Sequence, residues 1–186
     1  MSLDMLTQNE EFRSQPLRKV FVTVGSTSFD ELIITINNQS CLAAMHSRGV
    51  EEIKVQYGNG KVLPRTSYKE KLKMESFQYK SSIVEEFNWA DLVISHGGAG
   101  SVLESLRAKK KLIIVVNKKL MDNHQLELAE AMTRNGYAIL ASTESLVETI
   151  KNVDFEKLKP LPEPNSLYLN IFYHRSCIFG LIDLLL

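Results

Sequence analysis

The chain has 186 residues, which allows one domain with short extensions and excludes a large multidomain enzyme. Basic and acidic residues number 22 each, so the net charge is zero and a body built to grip a nucleic-acid backbone is not expected. Hydrophobic residues at 44% suffice for a core, and two distant cysteines, Cys41 and Cys177, encode neither a disulfide framework nor a zinc site, which fits a reducing cytosol.

Residues 1–18 are polar, lack the basic-then-apolar pattern of a signal peptide and read as a flexible leader. From Val20 onward, apolar runs of strand length alternate with turn signals and stretches of helical period, which predicts an α/β fold. Val20 to Val24 is the first strand, Gly25-Ser26-Thr27 a turn, and Phe29 to about Ser47 a helix. Ile53 to Tyr57 forms the second strand, ended by Gly58-Asn59-Gly60. The polar stretch from Lys61 to Glu75 reads as a loop before a strand near Met74 to Tyr79. Ser81 or Ser82 caps a helix to Trp89, Leu92 to Ile94 is a buried strand, and His96 to Ser101 turns into a helix ending near Ala108. Leu112 to Val116 is apolar throughout, as a central parallel strand should be. A helix from Asp122 to Asn135, capped by Gly136, precedes a strand from Tyr137 to Ala141 and a helix from Thr143 to Asn152. Pro160, Pro162 and Pro164 make a stiff linker to an apolar tail at 166–186, which His174, Arg175 and Asp183 interrupt too often for a bilayer span. The expected organisation is a leader at 1–18, a domain at 19–159, and linker plus tail at 160–186.

Ligands of such sheets bind beyond the carboxyl ends of the strands, where helix starts present free amides to anions. The turns Gly25 to Thr27 and His96 to Ser101 qualify, as does the loop from Asn117 to Gln125. Gly98-Ala99-Gly100 lacks the third glycine of a dinucleotide fingerprint, and Gly60-Lys61 continues with Val62, so NAD and ATP are poorly supported. Ser101 and Glu104 have the spacing of a capping box; alternatively, the Glu104 carboxylate reaches the two hydroxyls of a ribose. Asp122 and Gln125 pose the same choice, while Asn117, Asn123, His124 and Gln125 concentrate groups suited to a polyhydroxylated ligand. His96 has no neighbouring carboxylate to orient it as a base. The spacing of His46, His96, His124 and His174 matches no metal site, and no nucleophile elbow is present. No metal or cofactor is expected.

The segments VFVTVGSTSFD (Val20 to Asp30), ADLVISHGGAGS (Ala90 to Ser101) with Glu104, and LMDNHQLELA (Leu120 to Ala129) resemble one family. It is the catalytic subunit of the two-subunit UDP-GlcNAc transferase of the dolichol pathway, in glycosyltransferase family 28. The resemblance covers about Lys19 to Lys159. It implies a Rossmann-like doubly wound sheet, the carboxyl half of a GT-B glycosyltransferase, similar to the bacterial enzyme that adds GlcNAc to lipid I. It further implies that Gly25, Ser26 and Thr27 hold the diphosphate of UDP-GlcNAc, joined by Gly98, Ala99, Gly100 and Ser101, with His96 and Gly97 also in the substrate site. Glu104 would hold the ribose, His124 with Gln125 the GlcNAc hydroxyls, and the segment around Tyr79 the uracil, with Asn123 also in the substrate site. A membrane-anchored partner would bring the dolichol-linked acceptor and the base, placing the chain in the cytoplasm at the cytosolic face of the endoplasmic reticulum. The rivals are a non-catalytic paralogue or nucleotide-sugar-binding module of the same fold, and an unrelated Rossmann-like enzyme using NAD or SAM.

Overall fold

The computed structural model describes residues 10–65, 67–68, 72–117 and 123–161. Seven strands form one sheet: β1 Lys19–Thr23, β2 Glu52–Gln56, β3 Ser67–Tyr68, β4 Leu72–Phe77, β5 Leu92–Ser95, β6 Lys111–Val116 and β7 Ile139–Ser142. Among the described residues the helices that follow β1 are α1 Asp30–Ile36, α2 Gln39–Ser47, α3 Val84–Trp89, α4 Ala99–Arg107, α5 Asn123–Arg134 and α6 Leu146–Asn152, followed by a 3₁₀ turn at Phe155–Lys157.

The spatial order is β3-β4-β2-β1-β5-β6-β7, parallel throughout except for β3. This is the doubly wound, Rossmann-like arrangement expected from the alternating pattern. Beginning from β1, the chain first builds outward through β2 and β4 and then returns to the other side through β5, β6 and β7. The reversal leaves a crevice at the carboxyl ends of β1 and β5, where no crossover runs.

The alternation of β1 side chains divides the core in two. Val20 and Val22 join α1, α2 and α6 through Leu32, Ile33, Leu42, Met45, Leu146 and Ile150, all at most 2% exposed. Phe21 points the other way, stacking on Phe77 at 6.2 Å and meeting Phe87 edge-on at 5.3 Å. That second cluster continues through Val102, Leu106, Leu128 and Met132 of α4 and α5. Helices on both faces explain why β6 is buried at every position and is apolar from Leu112 to Val116.

Several elements differ from the sequence reading. The helix expected from Phe29 to Ser47 is two. Asn38 caps α2 by accepting from the Ser40 amide at 3.1 Å, while Asn37 donates to the Leu63 carbonyl and accepts from the Arg65 amide. These side-chain bonds compete with helix continuation. Leu72 opens β4 two residues early, and the short antiparallel β3 lies within the stretch read as loop. β7 and α6 start late, at Ile139 and Leu146. Tyr137 is occupied closing α5: its amide reaches the Met132 carbonyl and that of Gly136 the Thr133 carbonyl, with Gly136 at φ +77°. Both bonds define a Schellman cap.

Residues 10–18, read as part of a flexible leader, are packed. Residues 10–14 make a helical turn that buries Phe12, and Leu17 is buried after it. Asp91 accepts from the amides of Arg18 and Lys19, both at 2.9 Å, while the buried Lys111 ammonium donates to the carbonyls of Arg13 and Gln15. The proline linker beyond Leu161 and the apolar tail lie outside the described residues. Among the described residues no helix is long and apolar enough to cross a membrane.

Candidate functional site

The crevice is built around Thr23, the last residue of β1. Its hydroxyl donates to Gln56 Oε1 at 2.6 Å and accepts from the Gly25 amide at 3.0 Å. Both Thr23 and Gln56 are buried, so this bond aims the turn that follows. Gly25 sits at φ +62°, a conformation glycine adopts without strain. The Thr23 carbonyl accepts the His96 amide at 3.1 Å and lies 3.3 Å from His96 Nδ1.

A carbonyl can only accept, so Nδ1 carries the ring proton and Nε2 keeps its lone pair. Burial pushes the imidazole below its ordinary pKa, outweighing the opposing bond to Thr23. The neutral ring lies between two backbones: a Cβ at Gly25 would stand 3.0 Å from His96 Cε1, and one at Gly98 would fall on Nε2. Those glycines therefore do more than permit turns. They allow the turns after β1 and β5 to close on one imidazole, which joins the two halves of the expected anion site.

Gly98 is the N-cap of α4, so the amides of Ala99, Gly100 and Ser101 occupy the first turn, where no intrahelical acceptor exists. Together with the positive end of the helix dipole they make this edge receptive to an anion. A Cβ at Gly100 would meet nothing within 4 Å, so the helix start opens onto free space. Gly97, at φ +85°, is buried behind the turn against Ile114.

The capping box is not formed. With the helix beginning at Ala99, Ser101 is its third residue and Glu104 lies a turn further on, too late to reach the cap. The Ser105 hydroxyl donates to the Ser101 carbonyl, and Glu104 instead pairs with Arg107 at 3.7 Å, both side chains about half exposed. Glu104 thus presents a half-exposed carboxylate from the second turn of α4.

On the other flank, Tyr79 follows β4 and is 47% exposed, its hydroxyl bonded to Asn59 Oδ1. Beyond β6, Asn117 is half-buried, and Gln125, the third residue of α5, is half-buried at the same edge of the sheet. Asn123 and His124 open α5, but their side chains lie outside the described residues, as does Asp122. No group of three or more His, Cys, Asp or Glu capable of holding a metal ion occurs among the described residues.

Sequence reasoning missed the residues behind this edge. Thr23 and Gln56 read as ordinary strand positions, and Gly58-Asn59-Gly60 only as a strand end. A glycine pair flanking a polar residue at the carboxyl end of a strand next to β1 was the available signal.

Residues 19–173 match the glycosyltransferase family 28 C-terminal domain. The chain belongs to this family. It is 45% identical over 121 residues to a mouse protein named UDP-N-acetylglucosamine transferase subunit ALG13, covering 65% of this chain and 10% of that protein. The chain therefore spans about a tenth of the length of that relative. The Yarrowia lipolytica protein of the same name is 34% identical over 166 residues, covering 86% of this chain and 85% of its own length. Among solved structures, an NMR structure of ALG13 matches with TM-score 0.64 and 25% identity over 90% of this chain and 98% of that one. The family 28 chain also shares its fold with MurG of Acinetobacter baumannii, at TM-score 0.57 and 18% identity, across 77% of this chain and 42% of MurG. The fold is that of one half of a GT-B glycosyltransferase.

Proposed function

We propose that this chain is the donor-binding subunit of a UDP-GlcNAc transferase. With a membrane-anchored partner it transfers GlcNAc to GlcNAc-diphosphodolichol, giving the chitobiosyl lipid of N-glycan precursor synthesis. The observation that carries the reading is the closure of the Gly25 and Gly98 turns on the neutral His96 ring at the reversal of strand order. Family membership and the printed name of the relatives support the donor.

In this reading the diphosphate lies against Gly25, Ser26 and Thr27 on one side and Gly98, Ala99, Gly100 and Ser101 on the other. Glu104 takes the ribose hydroxyls, the Tyr79 ring stacks on uracil, and Asn123, His124 and Gln125 hold the sugar. His96 offers Nε2 as an acceptor, so it suits a hydroxyl at neutral pH; to donate to a phosphate oxygen it must first take up a proton. Amides and the helix dipole stabilise the charge that develops on the departing UDP. The acceptor hydroxyl still needs a base, which the partner subunit supplies. Such a subunit works in the cytoplasm, recruited to the cytosolic face of the endoplasmic reticulum.

Titration of the chain with UDP, UDP-GlcNAc, UDP-glucose and NAD tests the reading. UDP and UDP-GlcNAc bind with or without a chelator, and NAD does not. Binding that requires a divalent cation, or a preference for NAD, overturns it.

A further inference from the structure

The loop after β2 grips the turn after β1. A Cβ at Gly58, which sits at φ +54°, would collide with the Thr27 carbonyl and stand 2.7 Å from that of Gly25. The two backbones are therefore seated directly on one another. Asn59 completes the contact: its amide donates to the Thr27 carbonyl at 2.9 Å and its Nδ2 to the Ser26 carbonyl at 3.0 Å. The grip is reciprocal, because Asp30 Oδ1, just past the turn, accepts from the amides of Lys61 and Val62 at 2.9 and 3.2 Å. The same Asn59 side chain uses Oδ1 to receive the Tyr79 hydroxyl. One asparagine thus touches both the Gly25 to Thr27 turn and the exposed Tyr79 ring.

We propose that Asn59 is a positioning residue that holds the Gly25 to Thr27 turn and the Tyr79 ring as one preorganised unit. The backbone of an otherwise exposed turn has several conformations to lose on binding, and a fixed turn loses fewer. The ring is held by its hydroxyl, which leaves its faces open to a planar group such as a nucleobase. Asn59 is solvent-exposed and contributes little to the core, so conformational restriction is what its three bonds provide. The inference rests on the UDP reading for its ligand, though not for its geometry.

The test uses the whole chain and two readouts: the amide NMR positions of Gly25, Ser26 and Thr27 without ligand, and the Kd for UDP. Asn59→Ala moves those amides and weakens UDP by about threefold to tenfold, the worth of one or two hydrogen bonds. Asn59→Asp keeps an acceptor for Tyr79 but loses the donor to Ser26, so it moves the turn amides while leaving the ring anchored; it also serves if the alanine variant fails to fold. Tyr79→Phe weakens UDP in the parent protein and adds nothing in the Asn59→Ala background. A lower melting temperature with unmoved amides and unchanged UDP affinity overturns the proposal, as do additive effects of the two substitutions. If the parent chain does not bind UDP, the donor reading fails, and the ligand-free amide positions alone decide whether Asn59 sets the turn.

Discussion

At His96 burial and hydrogen bonding oppose each other, and burial prevails. Its pKa in the folded chain lies below the ordinary 6.5 that the unfolded chain retains. Between those two values the unfolded chain binds more protons, so stability falls as pH drops through this window and is fully present above 6.5. A melting curve followed from roughly pH 7 to pH 5 shows this loss, and His96→Asn, which can still donate to Thr23 but cannot titrate there, flattens it. Glu104 separates ligand binding from stability. Its pair with Arg107 is exposed, so Glu104→Ala costs at most about 0.5 kcal/mol in unfolding experiments. A ribose contact instead requires weaker UDP binding by the folded variant, about tenfold for a charged hydrogen bond. Unchanged affinity removes Glu104 from the site. Its spacing to Ser101 matched a cap because sequence shows intervals between residues, while the helix start was set by Gly98 three residues earlier.

Among the elements, the ends of helices carry information that their periodicity does not. Three of them close with the same Schellman bonds: α2 at Gly49, α4 at Lys109 and α5 at Gly136, all with positive φ. Lysine at φ 53° is strained where glycine is not, so Lys109→Gly gains about 0.5 to 1 kcal/mol despite the added freedom of the unfolded chain. Gly136→Ala should lose about 1 kcal/mol, because a Cβ there meets only the flexible end of Lys159 at 3.8 Å and the cost is one of backbone conformation. Denaturant unfolding of both variants checks the pair, and equal shifts of the same sign would refute the argument. Strands β1, β5 and β6 were legible because they bury both faces and read as largely apolar runs. The break at Asn37 and Asn38 was not, since it depends on Leu63 and Arg65, partners 26 and 28 residues away. The crevice was legible as glycine-rich turns, but the closure of both on His96 required the sheet order.

At the scale of the molecule, the described fold supplies one half of a GT-B architecture, and a catalytic cleft forms between two. The chain by itself should bind UDP-GlcNAc without transferring sugar, and transfer should begin when a membrane-bound partner carrying the acceptor half is added. The apolar segment from Leu167 to Leu186 is the expected dock. Removing everything after Pro164 should leave folding and UDP binding intact while abolishing recruitment to membranes containing the partner. Unfolding of the shortened chain would mean that the segment packs on its own domain. Full transferase activity from the chain alone would end the two-subunit reading.

The attachment of residues 10–18 imposes an order on biosynthesis. The Lys19 amide waits for Asp91, 72 positions downstream, and Arg13 waits for Lys111, 98 positions downstream. At about 5 to 20 residues per second, the ribosome needs roughly 5 to 20 s to deliver that lysine after Arg13 has been made. During this interval Phe12 and Leu17 lack the partners that β6, β7 and α6 bring to their cluster, and β1 has no β5 beside it until Leu92 to Ser95 have been made. The first apolar side chains of the described fold to leave the exit tunnel are therefore among the last to be secured. A nascent chain halted before β6 should expose them to chaperones and proteases, whereas one halted after β7 should protect them.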